Sequence, residues 1–277
     1  MGELLDIARK IQSSQIEQLP VIILCGGEGT RLREETEFKP KPMIQIGGRP
    51  MLVHIMKWYA KFGLNRFVLA LGYKQEMIKD YFSRYNEINN DLIVNTGVYK
   101  GRVPQLCQTT SDNWVVVMSN TGEHTLKGGR LKRIQKHINT DTFFLTYGDA
   151  VGDVDIEALL RFHRSHGKIA TVTGVVSPPR FGELTRDGSL VTEYLEKPYS
   201  PDTLINGGFF VFNREIFDLL TEDENCDLEY GALQKLAADK QLHVYTHHGQ
   251  WACMDTAKDV GALQKLWANN EAKWRVD

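Results

Sequence analysis

A glycine-rich turn followed by two cationic side chains is the stretch of this sequence best suited to chemistry. Three glycines within residues 26–29 follow the apolar run 21–25, and Arg31 and Lys41 come soon after them. Glycine lets backbone amide groups approach a ligand without an intervening Cβ atom, while arginine and lysine neutralise phosphate oxygens. The stretch therefore predicts a binding site for a polyanion such as a nucleoside triphosphate.

Lys41 lies in a stiff segment, because one proline precedes it and another follows it. Each proline ring restricts its own backbone and that of the residue before it, so the lysine is presented from an extended chain. A simpler alternative is a glycine turn with solvated charges, in which nearby acids only pair with the bases. Those acids are Glu28, Glu34, Glu35 and Glu37.

Two common phosphate-binding loops do not fit this turn. A Walker loop ends in Gly-Lys-Ser/Thr, whereas Gly29 is followed here by Thr30 and Arg31. A dinucleotide-binding fingerprint that starts at Gly27 would need a third glycine where the sequence has Leu32. The predicted second strand also ends in Gly-Tyr, without an acid that could bind a ribose. NAD is therefore not the expected ligand.

The composition indicates one large domain that acts on small molecules. The chain has 277 residues, of which 42% are hydrophobic, and a formal net charge of −2, which does not favour nucleic acid as a partner. The four cysteines are scattered, so neither disulfides nor a zinc ribbon are expected. No apolar run reaches membrane-spanning length, and residues 1–20 lack the apolar core of a signal peptide. We therefore expect a cytoplasmic protein with no membrane partner.

Strands and helices alternate in the first half of the sequence. The predicted strands are 21–25, 66–71, 92–95, 114–118 and 142–147, and the predicted helices are about 51–62, 74–84 and one starting near Arg130. This alternation favours an α/β fold with a mostly parallel sheet covered on both faces, a three-layer, Rossmann-like arrangement. Ligands of such folds bind at the carboxyl ends of the strands.

A carboxylate is expected at that same end of the sheet. The apolar strand 142–147 runs directly into Gly148 and Asp149. Because the carboxyl ends of parallel strands meet at one edge, Asp149 should lie on the rim where the glycine turn is expected. An oxygen ligand at this place suits a metal ion that also binds phosphate oxygens.

The pattern of the second half of the sequence predicts an accessory lobe. After a helix at 156–166, the predicted elements are a strand at 169–176, a hairpin at 181–196 that turns at Asp187-Gly188, a strand at 206–212, helices near 214–220 and 229–239, a strand at 243–247 and a last helix at about 257–269. Helical spacing also predicts an amphipathic helix at 3–18. No repeat or long linker is present, so we expect an extension at 1–20 and a single domain at 21–277.

Seven short motifs follow one another between about Val21 and Trp267. They are Gly-Gly-x-Gly-Thr-Arg-Leu with Lys-Pro-Lys-Pro-Met, Gly128 to Arg133, Tyr147-Gly148-Asp149, Arg180-Phe181-Gly182, Glu196-Lys197-Pro198, Ile205 to Phe210, and Met254-Asp255-Thr256. In this order they resemble the sugar-1-phosphate nucleotidylyltransferase family. The resemblance implies a fold of the nucleotide-diphospho-sugar transferase type, with a nucleotide-binding part at about 21–155, a smaller sugar-binding lobe at about 156–256 and a C-terminal helix within 257–277.

The resemblance also implies roles for individual residues. Arg31 and Lys41 correspond to catalytic cations, and Asp149 and Asp255 correspond to ligands of Mg²⁺. The implied nucleotide-binding residues are Leu24, Cys25, Gly26, Gly27, Glu28, Gly29, Thr30, Arg31, Lys41, Thr125, Gly129, Arg130 and Gly148. The implied sugar-phosphate-binding residues are Gly182, Glu196, Lys197 and Asn206.

Within the family, the sequence is most similar to members that transfer CMP from CTP to glucose 1-phosphate and release pyrophosphate. The resemblance further implies a homo-oligomer and a role in carbohydrate biosynthesis, such as that of lipopolysaccharide O-antigen. UTP or dTTP as the nucleotide, or another hexose 1-phosphate, stay open as substrates. Residues 96–127 match the family least, and they include the loop expected beside the base. The sugar stays open as well, because epimeric hexoses differ by one hydroxyl.

This reaction needs no strong general base, because a phosphate monoester is already an anionic nucleophile at neutral pH. Catalysis then depends on bringing two polyanions together and stabilising the charge at the α-phosphorus. We expect Lys41 to offset that charge and Arg31 to hold the departing pyrophosphate. Lys197 would bind the sugar phosphate, and Glu196 the ring hydroxyls. Arg130, which can only donate hydrogen bonds, is expected to contact cytosine O2 or N3.

Two other functions fit parts of the sequence. A nucleotide-sugar-dependent glycosyltransferase could use Asp153 and Asp155 as a metal-binding Asp-x-Asp pair, although Asp155 also stands where a helix N-cap is expected. A regulatory subunit that binds a nucleotide sugar without turnover is disfavoured because the cations are present. Glu28 and Cys25 depart from the usual family pattern, and Glu28 places an acid within the phosphate turn.

The remaining conspicuous side chains are predicted to have structural roles. The histidines lie outside any cysteine or carboxylate set at zinc spacing, and the aromatic residues fall at helical spacing, as core residues do. They are His163, His166, His247, His248, Trp58, Tyr59 and Phe62.

Overall fold

The computed structural model describes residues 19–94, 105–106, 112–176, 183–195 and 203–276. The helix predicted at 3–18 lies outside these residues. The predicted division into an N-terminal extension, a nucleotide-binding part and a sugar-binding part stays a prediction.

The described residues contain sixteen strands, numbered here in chain order. They are β1 Val21–Cys25, β2 Gln45–Ile46, β3 Arg49–Pro50, β4 Arg66–Leu71, β5 Leu92–Ile93, β6 Gln105–Leu106, β7 Val115–Asn120, β8 Thr142–Tyr147, β9 Ala150–Gly152, β10 Ala170–Val176, β11 Glu183–Asp187, β12 Leu190–Leu195, β13 Leu204–Asn206, β14 Phe210–Asn213, β15 Leu242–His247 and β16 Trp251–Cys253.

Eight of these strands form the central sheet. They run in the order β13-β10-β14-β8-β1-β4-β7, and β15 pairs with β10. The neighbours β8, β1, β4 and β7 are parallel, whereas β14 is antiparallel to both β8 and β10. The sheet therefore has a parallel half and a mixed half, which confirms the predicted α/β class with a mostly parallel sheet.

Helices pack against this sheet. The α-helices of the described residues are Arg33–Thr36, Met51–Ala60, Gln75–Ser83, Tyr85–Asn89, Lys127–Arg133, Ile156–His166, Gln234–Ala238 and Ala257–Ala268. Shorter 3₁₀ turns are Thr30–Leu32, Lys41–Met43, Gln135–His137 and Arg214–Leu219, and a π-helix spans Leu228–Leu233. Within the described ranges, no helix combines the length and the apolar character needed to cross a membrane.

Two apolar cores lie on opposite faces of the sheet. Alternate side chains of a strand point to opposite faces, so a strand covered on both sides is apolar throughout. In β1, Val21 belongs to one core and Ile22 to the other, and both are fully buried. The first core contains Trp58 and Tyr59, which confirms their predicted structural role. The second contains Leu131 of the helix Lys127–Arg133.

Most predicted element boundaries agree with the structure, and β4 and β8 have the bounds expected from the sequence. The strand predicted at 206–212 is wrong, because it is two strands, β13 and β14. The backbone between them turns through Gly208 and Phe209, whose φ angles are +75° and +48°. The helix predicted from near Arg130 begins earlier, at Lys127.

Candidate functional site

A cavity of about 620 Å³ opens at the carboxyl ends of β1 and β8. Small-molecule sites in proteins commonly measure about 300–1,000 Å³, so the cavity suits a nucleotide-sized ligand. Most of the predicted nucleotide-binding residues line it: Leu24, Cys25, Gly26, Gly27, Gly29, Lys41, Thr125, Arg130 and Gly148. Asp149, Asp255 and Asn206 line it as well.

The glycine turn after β1 is held by its own backbone. Gly29 has a φ of +64°, and a Cβ atom there would lie 2.9 Å from the methyl group of Thr36. The Gly29 carbonyl accepts hydrogen bonds from the Leu32 amide and the Thr36 hydroxyl, at 2.9 and 3.1 Å. Both the left-handed backbone and the close neighbour require glycine at this position.

Two cations and two carboxylates meet at one edge of the cavity. The Nζ atom of Lys41 lies 2.7 Å from Oδ2 of Asp149 and 2.7 Å from Oδ1 of Asp255. The Nη1 atom of Arg31, a largely exposed side chain, lies 3.7 Å from Oδ2 of Asp255. The four side chains therefore converge in the structure, while their predicted chemical roles stay predictions.

Lys41 keeps its positive charge in this setting. It stands in the 3₁₀ turn Lys41–Met43, which follows Pro40 in an extended conformation. Burial disfavours the ammonium form, but the nearby carboxylates of Asp149 and Asp255 outweigh burial and hold the pKa of Lys41 above its ordinary value. Lys41 is therefore suited to stabilise negative charge and unsuited to remove a proton.

Both aspartates are placed by strand pairing and helix capping. Asp149 follows β8, and its carbonyl accepts a 2.8 Å hydrogen bond from the Met254 amide, next to the β9–β16 pair. Asp255 immediately precedes the helix Ala257–Ala268, whose N-cap is Thr256. Because backbone contacts fix the two residues side by side, their carboxylates face the same cation.

The donor set of this edge fits Mg²⁺ better than zinc. Zinc sites take three or four protein ligands, and the described part of the chain holds no group of three or more His, Cys, Asp or Glu that could bind a metal. Mg²⁺ commonly takes one or two carboxylates and completes its shell with water and substrate phosphates. The ammonium group of Lys41 shows that one cation can contact both carboxylates of this pair.

Arg130 joins the ends of three strands. Its guanidinium donates hydrogen bonds to the carbonyls of Gly26 and Leu71, at 2.9 and 3.2 Å, and to the Thr121 hydroxyl at 2.9 Å. It also donates to the carbonyls of Gly122 and Glu123. Its two terminal nitrogens are thus already engaged by the protein. The predicted contact of Arg130 with the base stays a prediction, and would require some of these partners to change.

The sequence matches a known protein family along most of its length. The sequence profile of the family described as Nucleotidyl transferase matches residues 20–274.

The chain belongs to the nucleotidyl transferase family. A probable glucose-1-phosphate cytidylyltransferase of Bacillus subtilis is 40% identical over 93% of this chain and 100% of its own length. The glucose-1-phosphate cytidylyltransferase of Salmonella typhi is 41% identical over 93% of this chain and 99% of its own. The whole domain of these relatives is therefore represented in this nucleotidyl transferase.

Solved structures of lower sequence identity share the fold. HddC from Yersinia pseudotuberculosis, complexed with GMP-PN, superposes with a TM-score of 0.64 at 22% identity and covers 90% of this chain and 100% of its own. A UTP-bound UGPase from Acinetobacter baumannii superposes with a TM-score of 0.65 at 14% identity, covering 92% of this chain and 95% of its own.

The side of the nucleotidyl transferase cavity opposite the glycine turn contains a chain of polar contacts. The Asn206 amide donates a 3.1 Å hydrogen bond to the Tyr147 hydroxyl, which donates at 2.8 Å to Oε1 of Glu229. Lys127 pairs with the same carboxylate and lies over the Tyr147 ring. Burial raises the pKa of the Tyr147 phenol, and Glu229 raises it further. Tyr147 therefore stays protonated and can orient Asn206.

Other predicted site residues lie apart from the cavity or outside the described residues. Glu28, Thr30 and Arg31 are exposed and do not line the cavity. Glu28 lies 3.4 Å from Nδ1 of His124. Gly129 is buried against Asp223, where a Cβ atom would lie 2.4 Å from a carbonyl oxygen. The predicted sugar-phosphate residues Gly182, Glu196 and Lys197 lie outside the described residues.

The Asp-x-Asp pair has local partners away from the cavity. Asp155 caps the helix Ile156–His166 by accepting a 2.8 Å hydrogen bond from the Ala158 amide, as the capping interpretation predicts. Asp153 lies 3.0 Å from Nε2 of His247. Neither carboxylate lines the cavity. These contacts do not favour a metal site at this pair.

Sequence reasoning missed several residues that line or support the cavity. Lys127 and Trp251 line it without having been singled out, and Glu229 orders the polar chain described above. Lys127 stands directly before Gly128-Gly129-Arg130, so its place in that motif was an available signal. Glu229 has no comparable signal, because it stands 82 residues from its hydrogen-bond partner Tyr147 in the sequence.

Proposed function

We propose that this protein is a glucose-1-phosphate cytidylyltransferase, which transfers CMP from CTP to α-D-glucose 1-phosphate and yields CDP-glucose and pyrophosphate. Relatives with that name, about 40% identical, match 93% of the chain. The observation that carries the proposal is the meeting of Lys41, Asp149 and Asp255 at the edge of one cavity, with the exposed Arg31 next to Asp255. Two cations and two carboxylates suit the transfer of a nucleotidyl group between two polyanions.

The nucleophile is an oxygen of the sugar phosphate, which attacks the α-phosphorus of CTP in line as the bond to pyrophosphate breaks. This oxygen is anionic at neutral pH, so no residue has to remove a proton from it. Lys41 offsets the negative charge that the α-phosphate and the sugar phosphate share. Arg31 can form a bidentate contact with the departing pyrophosphate because its guanidinium is planar.

Asp149 and Asp255 hold Mg²⁺ in this proposal. An ion held there would supply Lewis-acid stabilisation of the charge on the transferred group. Support comes from the 2.7 Å contacts of both carboxylates with the Lys41 ammonium, since these contacts indicate a place suited to a cation.

The glycine turn binds the nucleotide. Gly26 and Gly27 line the cavity without side chains, so their backbone amides are accessible to the base and the phosphates. Thr125 and Arg130 line the cavity on the same side, where Arg130 donates a 2.9 Å hydrogen bond to the Gly26 carbonyl. The choice of CTP over UTP follows the relatives' names, and a hydrogen-bond donor near N3 of the base would enforce it, because N3 accepts in cytosine and donates in uracil.

Asn206 contacts the sugar phosphate in this proposal. Its amide orientation is set, because Nδ2 donates to Tyr147 and Oδ1 accepts a 2.9 Å hydrogen bond from the Gly208 amide. A fixed amide can discriminate between hydroxyl positions on a hexose ring. Gly182, Glu196 and Lys197 remain proposed partners of the same substrate.

A panel that measures pyrophosphate release tests the proposal. Four nucleoside triphosphates are combined with several hexose 1-phosphates, and the highest kcat/KM is expected for CTP with glucose 1-phosphate. Arg130→Ala in the same panel tests base selection, and an unchanged preference for CTP over UTP would remove Arg130 from that role. Glucose transfer from a nucleotide sugar would instead support a glycosyltransferase. Binding of CTP without pyrophosphate release from any pair would support a regulatory subunit.

Three broader predictions belong with this function. We propose a homo-oligomer, a cytoplasmic location and a role in carbohydrate biosynthesis, including that of lipopolysaccharide O-antigen. Their support is the resemblance of the sequence motifs to the family. Light scattering coupled to size-exclusion chromatography measures the first, and a monomer at micromolar concentration would contradict it.

A further inference from the structure

A short hairpin connects the Lys41 turn to the protein core. Strands β2 and β3 follow the turn, and the Ile44 amide donates a 3.1 Å hydrogen bond to the Lys41 carbonyl. The Ile44 carbonyl in turn accepts a 2.9 Å hydrogen bond from Met51, the first residue of a buried helix. Because only a few residues separate the hairpin from Lys41, movement of the hairpin moves the lysine.

The C-terminal helix Ala257–Ala268 contacts the tip of this hairpin. The side chain of Gln264 accepts a hydrogen bond from the Gly47 amide at 3.1 Å and donates one to the Gln45 carbonyl at 2.8 Å. The Trp267 indole packs directly on Gly47, where a Cβ atom would lie 2.0 Å from its Nε1. Gly47 also has a φ of +57°, so the tip is shaped to receive this helix.

The other end of the same helix fixes Asp255. Oδ2 of Asp259 accepts hydrogen bonds from the backbone amides of Asp255 and Thr256, at 3.1 and 2.8 Å. The Thr256 hydroxyl completes a capping box with Asp259. One rigid helix thus fixes Asp255 at its start. Roughly 12 Å farther along its axis, the same helix contacts the hairpin that follows the Lys41 turn.

We propose that the C-terminal helix is a positioning element that sets the separation of Lys41 and Asp255, with Gln264 and Trp267 as its positioning residues. Neither Gln264 nor Trp267 lines the cavity, so both act through the hairpin. The inference rests on the proposed function, because it concerns the geometry around the transferred phosphorus. Misplacing a catalytic group by about 1 Å can lower a rate by about a hundredfold.

The test is Gln264→Ala, which removes the two hydrogen bonds to the hairpin and leaves the helix intact. We expect kcat for pyrophosphate release to fall about tenfold, because charge stabilisation by Lys41 is lost in the transition state. The KM values for CTP and glucose 1-phosphate should change less than about twofold, since this loss is confined to the transition state.

Gln250→Ala is the matched control. The side chain of Gln250 also makes two hydrogen bonds to the backbone, accepting from Lys273 at 2.8 Å and donating to Glu271 at 3.2 Å. These contacts fasten Glu271 and Lys273 and involve no atom of the hairpin, which the same segment meets farther along, where Arg49 donates a 3.4 Å hydrogen bond to the Val276 carbonyl. We expect the two variants to lose similar amounts of Tm and only Gln264→Ala to lose kcat. Equal losses of kcat in both variants would overturn the proposal.

Two further readouts separate positioning from general stability. In a Lys41→Met background, Gln264→Ala should cause no additional loss of the residual kcat, whereas an additive loss would show that Gln264 acts independently of Lys41. Hydrogen exchange followed by mass spectrometry should show faster exchange of residues 41–50 in Gln264→Ala than in Gln250→Ala. Hydrogen exchange can be measured without turnover, so equal exchange in the two variants would refute the positioning role by itself. Absence of pyrophosphate release from the unmodified protein would instead refute the proposed function and leave the positioning role to the exchange measurement.

Discussion

The two walls of the cavity are fixed in different ways. We call the glycine turn 26–29 and residues 121–130 the nucleotide side, after the ligand proposed for them. There Arg130 is only 4% exposed and its guanidinium donates to acceptors on three segments. We call Asn206, Tyr147 and Glu229 the sugar side, again after the proposed ligand. Their hydrogen bonds form a linear series, and Asn206 is exposed. The nucleotide side is therefore set before a ligand binds, while fewer contacts shape the sugar side.

This difference separates two kinds of sensitivity to substitution. A buried guanidinium whose two terminal nitrogens are hydrogen-bonded is costly to remove, since its acceptors lose a charged donor. In a linear series of hydrogen bonds at an exposed position, removing one side chain lowers the free energy of unfolding only slightly. Substitutions on the nucleotide side should therefore mainly affect stability, and those on the sugar side mainly affect substrate binding. Lys41 lies where the two sides meet, so substitution of Lys41 should lower kcat the most.

The largest effect is expected for Lys41→Met, which removes charge stabilisation at the meeting point of the two sides. Losing one such group typically lowers kcat by about 10²–10³-fold. Lys39→Met is the control, because Lys39 pairs with Glu35 at 2.9 Å and does not line the cavity. Steady-state pyrophosphate release measures both variants. A decrease below tenfold for Lys41→Met would contradict the assigned role.

The second effect is a loss of stability in Arg130→Met. The carbonyls of Gly26 and Leu71 lose a buried donor, so we expect the free energy of unfolding to fall by about 3 kcal/mol. Arg161→Met serves as the control, because its pairing with Glu157 is exposed and should contribute less than about 0.5 kcal/mol. Urea unfolding measures both. If Arg130→Met lost no more than the control, the nucleotide side would not be fixed in advance.

The third effect is a loss of stability in acid, contributed by His54. Burial lowers the pKa of His54 to about 4, even though its Nε2 donates to the Ile46 carbonyl. The folded state therefore excludes a proton that the unfolded state binds below pH 6.5, so stability is full above that pH and falls as the pH drops toward 4. We expect a loss of about 2 kcal/mol between pH 7.5 and pH 5.

The substitution His54→Gln keeps a donor for Ile46 and should remove most of this acid sensitivity. Burial also lowers the pKa of His166 to about 4, but this side chain lies beside the mixed half of the sheet and is only partly buried. His166→Gln should therefore remove less of the pH dependence. Urea unfolding at the two pH values measures both variants. If His166→Gln removed more of the pH dependence of stability than His54→Gln, the assignment of the acid sensitivity to His54 would be wrong.

The smallest effect is expected for Tyr147→Phe, which tests the sugar side. The variant loses the hydrogen bonds to Glu229 and from Asn206, so the free energy of unfolding should fall by about 1 kcal/mol. The KM for glucose 1-phosphate should rise about fivefold, because Asn206 is no longer oriented, while the KM for CTP stays unchanged. Equal changes in both KM values would show that Tyr147 does not belong to the sugar side alone.

The sequence was sufficient to predict the parallel strands and the convergence at their carboxyl ends. Strands β1 and β8 are buried on both faces, so they appear as continuous apolar runs whose ends are easy to locate. Asp149 and the glycine turn follow those runs directly, and the rule that carboxyl ends share an edge brings them together. The place of Asp149 beside the glycine turn could therefore be predicted without coordinates.

Other features depend on contacts that no local pattern reveals. Two glycines at the start of a helix usually disfavour it, yet the helix Lys127–Arg133 includes Gly128 and Gly129. The structure gives the reason, since carbonyls of Asp223 and Cys226 approach these glycines too closely for side chains. The sequence likewise does not reveal that Arg130 donates hydrogen bonds to the carbonyls of Leu71 and Gly26, because these partners are 59 and 104 residues away.

Gly26, Gly72 and Arg130 share one volume of space. A Cβ atom at Gly26 would lie 2.1 Å from Nη1 of Arg130, and one at Gly72 would lie 2.3 Å from the same atom. A larger residue at Gly26 would have to be accompanied by a smaller residue at 130, whereas a Cβ atom at Gly72 would also lie 2.7 Å from the carbonyl oxygens of Gly122 and Gly26. Positions 26 and 130 therefore form one unit of substitution, and natural or designed variants of this enzyme should change these two together and keep glycine at 72.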